Sequence, residues 1–123
     1  MKQWIWIVLL AVYAAGIGYL SHQSLDVGKP PFPHYDKLFH LAEFGLFMFL
    51  AWHATGRRLL AAWILTIAYA VGDELHQAFV PTRESSVLDF LADSVGATLV
   101  AVVLTRGKLL WRLFSTRILG MRS

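Results

Sequence analysis

The chain has 123 residues, of which 57% are hydrophobic and 15% are charged. Soluble globular chains are roughly 45–50% apolar, and a chain this short could not bury so much apolar surface in a core of its own. The length leaves room for one domain, 1–123. The sequence contains no cysteine, which excludes disulfides, thiolate metal sites and a cysteine nucleophile. We therefore expect a small all-α membrane protein.

The first apolar segment, 4–20, carries no charge and is long enough to cross a hydrocarbon core of ~30 Å. It could instead be the apolar region of a signal peptide, because Lys2 precedes it and small residues lie near its end. We prefer a transmembrane helix, because the run is long for a signal peptide. The loop that follows, 21–35, contains closely spaced prolines and cannot be helical there.

Three further transmembrane helices are predicted, over 37–55, 59–80 and 86–105. A basic turn, 56–58, separates the first two of these, and Pro81 ends the second. The remaining residues, 106–123, mix cations with leucines and aromatics. They indicate an amphipathic cytoplasmic helix lying on anionic headgroups. The alternative, a solvated disordered tail, fits their apolar content less well.

The bias of lysine and arginine predicts how the four helices are oriented. With the N-terminus inside, the cytoplasmic side holds Lys2, Arg57, Arg58, Arg106, Lys108, Arg112, Arg117 and Arg122. The outer side holds only Lys29, Lys37 and Arg83. We therefore expect a polytopic protein with both termini in the cytoplasm (N-in/C-in).

All eight acidic residues then fall on the outer side. Asp26, Asp36 and Glu84 lie in or beside outer loops, and Glu43, Asp73, Glu74, Asp89 and Asp93 lie within the outer halves of helices. His40 and Asp89 lie roughly 5 Å from the outer ends of their helices, and the other four carboxylates within helices roughly 9–12 Å. Three helices thus carry ionisable groups at similar depth.

The spacing of these groups places them on common helix faces. Asp36, His40 and Glu43 stand at i, i+4 and i+7, and Asp89 and Asp93 are four apart. A charge that faces lipid costs at least ~2.5 kcal/mol, so such faces must point to the bundle interior or to water. Small residues, such as those at positions 18 and 96, let helices approach. The pattern predicts a polar cavity in the outer leaflet, lined by the second to fourth helices.

These polar groups could instead only hold the helices together. His40 could pair with Asp36 or Glu43 on its own helix, and Arg83 could neutralise an acid of the third or fourth helix. Five carboxyl groups below the outer surface exceed what packing needs, however. Crowded carboxylates of this kind are typical of acid/base or cation-binding sites.

Two stretches of the sequence carry a family resemblance. Asp36-Lys37-Leu38-Phe39-His40 resembles the DKxxH motif of VanZ-like membrane proteins. The second stretch resembles that family's DExxQ…PxR…D…(N/D)xxG block, and it consists of Asp73-Glu74-Leu75-His76-Gln77, Pro81-Thr82-Arg83, Asp89 and Ala92-Asp93-Ser94-Val95-Gly96. Position 93 is Asp where many members have Asn. The resemblance implies a multi-pass protein of the bacterial cytoplasmic membrane, in a family whose namesake is associated with teicoplanin resistance.

Three functions agree with these residues, and we prefer the first. A binding protein would hold a lipid headgroup, a lipid-linked wall precursor or a glycopeptide-type antibiotic, with Arg83 on its phosphate or carboxylate. A membrane-embedded enzyme would act on lipid headgroups, with Glu74 or Asp73 as base and His40 as acid. A proton- or ion-coupled transporter would relay protons through the carboxylates, although four helices leave little room for alternating access.

The predicted binding residues are Asp36, His40, Glu43, Asp73, Glu74, Gln77, Arg83, Asp89 and Asp93, and the catalytic candidates are His40, Asp73 and Glu74. His40, Glu43 and Asp73 could hold a divalent ion, but no HExxH or other known metal-binding pattern is present, so no metal or other cofactor is predicted. Expected partners are membrane lipids, with a lipid-linked envelope precursor or an amphiphilic antibiotic as ligand. A homodimer would supply further helices. No nucleic acid is expected, because the basic turn is too short.

Overall fold

The computed structural model describes residues 1–23, 31–81 and 83–120. These residues form four α-helices and no strand: α1 (Gln3–His22), α2 (Tyr35–Ala54), α3 (Leu59–Ala78) and α4 (Val87–Gly120). The prediction of an all-α chain is confirmed. Asp26, Lys29, Thr82 and Arg122, which entered the sequence predictions, lie outside the described residues.

Three helices, α1, α3 and α4, are long and apolar enough to cross a membrane. Their outward faces expose large apolar side chains, among them Val87 at 76% and Leu60 at 69% exposure. An apolar surface of this extent suits lipid rather than water. α2 has 20 residues, as α1 and α3 do, but its charged residues and histidines lower its mean hydropathy. The chain is thus a small all-α membrane protein, and a crossing by α2 remains a prediction.

The two ends of the bundle are fixed by contacts between helix termini. The side-chain amide of Gln3 donates a hydrogen bond to the carbonyl of Ala54 at 3.0 Å, which joins the start of α1 to the end of α2. A turn through Gly56 and Arg57, both with positive φ, leads directly into α3. The later part of α4 lies at the same end, because Lys108 Nζ is 5.0 Å from the ring centre of Trp52. Successive helices are therefore antiparallel.

The core is centred on α2, which packs against all three other helices and most extensively against α4. Phe44, Phe47 and Met48 of α2 are fully or almost fully buried. The ring of Phe47 stacks on that of Tyr69 of α3 with 4.7 Å between centres. The Tyr69 hydroxyl in turn donates to the carbonyl of Ala14, which links α3 to α1. On the faces of α2 that are covered in this way, polar side chains are kept from lipid, whereas its remaining face exposes large apolar side chains.

α2 and α4 make their closest approach at two glycines. A Cβ atom on Gly96 would collide with the carbonyl oxygen of Leu41 and lie 3.0 Å from its Cα. A Cβ atom on Gly45 would lie 3.3 Å from a methyl group of Val100 and 3.6 Å from the Gly96 carbonyl oxygen. Small residues permit this backbone contact between membrane helices.

The fourth helix is longer than the sequence predicts. α4 continues without a break to Gly120, so 106–120 extends the helix that begins at Val87. Its 34 residues correspond to about 51 Å, well over a hydrocarbon core of ~30 Å. No proline interrupts this stretch and most of its residues favour helix, so nothing in the sequence ends it at position 105. Contact of this extension with headgroups remains a prediction.

Candidate functional site

The polar side chains predicted for the site lie at one end of the bundle, where α1 and α3 end and α2 and α4 begin. Asp73, Glu74, Gln77, Asp89 and Asp93 are all buried, and Asp93 is completely inaccessible. His40 and Glu43 are partly buried, whereas Asp36 is exposed. We call this set, together with Lys37, the polar layer. Each of α2, α3 and α4 contributes to it.

The strongest contacts within the polar layer join α2 to α4. His40 Nδ1 shares a hydrogen bond of 2.8 Å with Asp93 Oδ1, and His40 Nε2 lies 3.8 Å from Asp89 Oδ2. Lys37, one turn earlier on α2, forms ion pairs with both Asp36 and Asp89. His40 thus pairs with acids of the facing helix rather than with those of its own helix. The glycine contact at Gly96, three residues beyond Asp93, brings the two helices close enough for this pairing.

Glu74 of α3 lies beside the start of α4. Its Oε2 accepts a hydrogen bond of 3.0 Å from the backbone N–H of Ser86. Ser86 also caps α4, because its hydroxyl accepts a 3.4 Å hydrogen bond from the Asp89 N–H. A carboxylate is favoured here by the positive end of the helix dipole. One ligand-type atom each from His40, Glu74 and Asp93 lies within 4.8 Å of the others.

Two carboxylate oxygens of this group are buried without a hydrogen-bond partner in the described parts of the chain. They are Oε1 of Glu74 and Oδ2 of Asp93. A buried polar atom without a partner costs free energy, and native proteins contain few of them. These two oxygens therefore mark a region where no described side chain supplies the hydrogen-bond donor or cation that a buried carboxylate needs.

Asp73 lies about 100° around α3 from Glu74, and the contacts of its side chain reach towards α1. The side-chain amide of Gln77 donates to Asp73 Oδ2 at 3.1 Å and to the hydroxyl of Ser21 at 3.4 Å. Of the two carboxylates predicted as a base, only Glu74 stands with His40 in the three-residue group. Asp73 and Gln77 belong to a contact between α3 and α1.

Arg83 and Glu43 complete the set of predicted residues. Arg83 donates from Nη2 to the carbonyl of Leu20 at 2.9 Å and from Nε to that of Gln23 at 3.1 Å. It therefore caps the end of α1, where carbonyl groups lack helical partners. The backbone carbonyl of Glu43 accepts a 2.9 Å hydrogen bond from Tyr13. A contact between Arg83 and a ligand remains a prediction.

A groove between α3 and α4 leads from the outer face of the bundle to Glu74. Its volume is about 320 Å³, at the lower end of the range for ligand pockets. It is lined by Val71, Glu74, Leu75, Ala78, Ser85, Ser86, Val87 and Phe90. Leu75 and Val87 are among the most exposed apolar side chains, so the walls of the groove are apolar and open sideways. Glu74 and the two serines make its polar end.

A larger cleft of about 620 Å³ lies at the opposite, basic end of the bundle. Its lining comprises Trp52, Leu59, Leu104, Thr105, Lys108, Leu109, Trp111 and Arg112. Cations and indole rings around an open apolar cleft are typical of a membrane interface. The cleft contains no member of the polar layer, so we place the candidate site at the acidic end despite the smaller volume there.

Three contributors to the site are missing from the sequence prediction. Lys37 entered it only as a charge that sets orientation, although it lies three residues from His40 and within the same motif. Ser86 could have been found from the Ser-x-x-Asp pattern that precedes α4. Ser21 carries no comparable signal, because its contact with Gln77 depends on how α1 packs.

Comparison with known proteins gives one result. Among curated proteins and solved structures nothing matches the chain significantly. A family model described as VanZ/LLP1 matches residues 3–112, which include α1, α2, α3, most of α4 and the whole polar layer. Because this match covers most of the chain, the protein belongs to the VanZ/LLP1 family.

Proposed function

We propose that this protein is a multi-pass protein of the bacterial cytoplasmic membrane that binds the polar headgroup of an amphiphile in the outer leaflet. The groove between α3 and α4 carries the proposal. Its apolar walls face the lipid, and its inner end is a buried carboxylate with an unpaired oxygen. An amphiphile that enters sideways would lay its alkyl chain against Leu75 and Phe90, with its headgroup at Glu74.

The charge distribution supports an outer position for the groove. The basic residues of the N-terminus, of the connection between α2 and α3 and of the later part of α4 gather at one end, and the polar layer occupies the other. The positive-inside rule then puts the basic end in the cytoplasm and the groove in the outer leaflet. In this orientation α2 also crosses the membrane, packed against the other three helices.

The ligand class follows from the shape and chemistry of the groove. Membrane phospholipids, lipid-linked wall precursors and glycopeptide-type antibiotics with an alkyl chain all combine a polar head with an apolar tail. Family membership favours a role in the cell envelope, since the VanZ namesake is associated with teicoplanin resistance. A volume of about 320 Å³ suits a headgroup and the first part of a chain rather than a whole molecule.

Two variants, each replacing an exposed alanine of α3 by phenylalanine, test the proposal. Ala78 lines the groove, whereas Ala61 is equally exposed on the same helix but lines none of the cavities described above. Ala78→Phe should fill the groove and lower the retention of added phosphatidylglycerol or phosphatidylethanolamine, measured by native mass spectrometry of the purified protein, at least about tenfold. Ala61→Phe should leave retention unchanged. Equal retention by both variants would refute a lipid site in this groove.

A second candidate function is a membrane-embedded acid/base enzyme that acts on lipid headgroups. The observation that favours it is the hydrogen-bonded pair of His40 and Asp93 close to Glu74, since a carboxylate that orients a histidine is a common catalytic arrangement. In this case Glu74 is the base and His40 the acid. A turnover assay of purified protein with envelope lipids tests this function, and activity that survives Glu74→Gln would remove Glu74 from that role.

A further inference from the structure

We propose that His40, Glu74 and Asp93 form a binding site for a divalent transition-metal cation such as Zn²⁺ or Mn²⁺. The three residues come from α2, α3 and α4, and one ligand-type atom from each lies within 4.8 Å of the other two. Imidazole nitrogen suits first-row transition metals, and carboxylate oxygen suits both these and harder cations. No single stretch of sequence shows this group, because each ligand lies on a different helix.

The two unpartnered oxygens point to the ligand independently of the cluster itself. Asp93 has no exposed surface, and its Oδ2 has no hydrogen-bond partner in the described parts of the chain. Glu74 is 9% exposed, and its Oε1 also has no hydrogen-bond partner among the described residues. A carboxylate that is buried needs a charge partner or a metal. A cation held between these oxygens and the imidazole would satisfy both of them at once.

The cationic side chains at this end of the bundle are already engaged elsewhere. Lys37 forms ion pairs with Asp36 and Asp89. Arg83 donates to the carbonyls at the end of α1. Among the described residues, neither cation hydrogen-bonds Glu74 or Asp93, so in this part of the chain His40 is the one basic side chain beside these carboxylates.

The distances require little rearrangement. With bonds of ~2.1 Å, two ligand atoms on opposite sides of a zinc ion are at most ~4.2 Å apart, and in a tetrahedral site about 3.4 Å. Atoms that lie within 4.8 Å of one another therefore need to close by at most about 1.4 Å to reach tetrahedral spacing. His40 Nδ1 and Asp93 Oδ1 are 2.8 Å apart, and this distance would lengthen slightly if both atoms bound one cation.

Three protein ligands leave a coordination position open, as in catalytic rather than structural zinc sites. Glu74 also lines the groove between α3 and α4, so the open position faces the ligand that we propose there. A cation would convert an acidic site, which repels phosphate, into one that binds it. This last step rests on the proposed function, whereas metal binding by the chain itself does not.

The test is calorimetric titration of the purified, EDTA-stripped protein in detergent, without added lipid, with ZnCl₂ and MnCl₂. We expect one ion per chain, and affinity at least about tenfold lower in both Glu74→Gln and His40→Ala. Glu84→Gln and His76→Ala are the matched controls, because they remove an exposed carboxylate and an exposed histidine near the same end. Both controls should retain the site.

The control at His76 also addresses a competing explanation. His22 and His76 are stacked and exposed, with ring nitrogens 3.3 Å apart, and could bind Zn²⁺ by themselves. Binding that is lost in His76→Ala but retained in Glu74→Gln would overturn the proposal, as would the absence of stoichiometric binding. Glu74→Gln keeps the size of the side chain and its acceptor for Ser86, so the variant should fold. An unchanged thermal unfolding midpoint without metal would verify this.

A parallel measurement separates the two proposals. Retention of phosphatidylglycerol is compared with and without EDTA in the wild type and in Ala78→Phe. Metal binding that persists when no lipid is retained supports the metal site and refutes the proposed function. Lipid retention without any metal binding supports the proposed function and refutes the metal site.

Discussion

Gly96→Ala tests the packing that brings the two halves of the polar layer together. The added methyl group would collide with the carbonyl oxygen of Leu41 and lie 3.0 Å from its Cα, whereas ordinary carbon–oxygen contacts begin near ~3.3 Å. The obstacle is backbone, which cannot rotate away as a side chain could. α2 and α4 must therefore separate by on the order of 1 Å at this level.

The expected energy follows from two opposing effects. Overpacking of this kind costs about 1–3 kcal/mol, while replacing Gly by Ala inside a helix gains about 1 kcal/mol. Gly107→Ala is the matched control, because it lies in the same helix and nothing would lie within 4 Å of its Cβ. The control shows only the gain, which both variants share, so they should differ in unfolding free energy by the overpacking cost of about 1–3 kcal/mol.

The assay is thermal unfolding in detergent, followed by helical circular dichroism. For a chain of this size the difference corresponds to roughly 3–15 °C between the midpoints of the two variants. Separation of α2 from α4 would also stretch the 2.8 Å contact between His40 and Asp93. Equal midpoints for Gly96→Ala and Gly107→Ala would show that the close contact of α2 with α4 does not exist.

Two further predictions concern Arg83 and the orientation of the chain. Arg83→Ala should lower the free energy of unfolding by about 1–3 kcal/mol, because two hydrogen bonds at the end of α1 are lost. The control Arg106→Ala should show no change in the same thermal assay. If Arg83→Ala instead loses ligand binding at unchanged stability, Arg83 contacts the ligand. Because the chain contains no cysteine, Ser85→Cys and Thr116→Cys report topology directly. An impermeant maleimide should label Ser85→Cys in intact spheroplasts and Thr116→Cys only after lysis, and the reverse pattern would contradict both termini lying inside.

The extent of the first three helices could be predicted within two or three residues at each end, because hydropathy and prolines depend on local sequence. The position of the polar layer along the helices could be predicted equally well, since the rise of a helix converts sequence position into distance. The rotation of each helix about its own axis could not be predicted from the sequence. His40 could be assigned to a stripe with Asp36 and Glu43, but only packing shows that it meets Asp93.

The same limit explains the differing roles of Asp73 and Glu74. These residues are adjacent in sequence, so a helical rotation of about 100° separates them. Asp73 consequently faces Gln77 and α1, while Glu74 faces Ser86 and the groove. A motif read along the chain treats both as one acidic pair. In the bundle they belong to different contacts, and only one of them lies with His40.

Of the four helices, α2 alone fails to qualify as a membrane span by composition, yet it packs against all the others. The two facts have one cause, because charged side chains are tolerated at membrane depth only where other helices cover them. The cover must then be apolar outside, as α1, α3 and α4 are, and must approach closely, as α4 does at Gly96. Low hydropathy in a central helix is therefore better evidence for a buried polar site in such a bundle than against a membrane crossing.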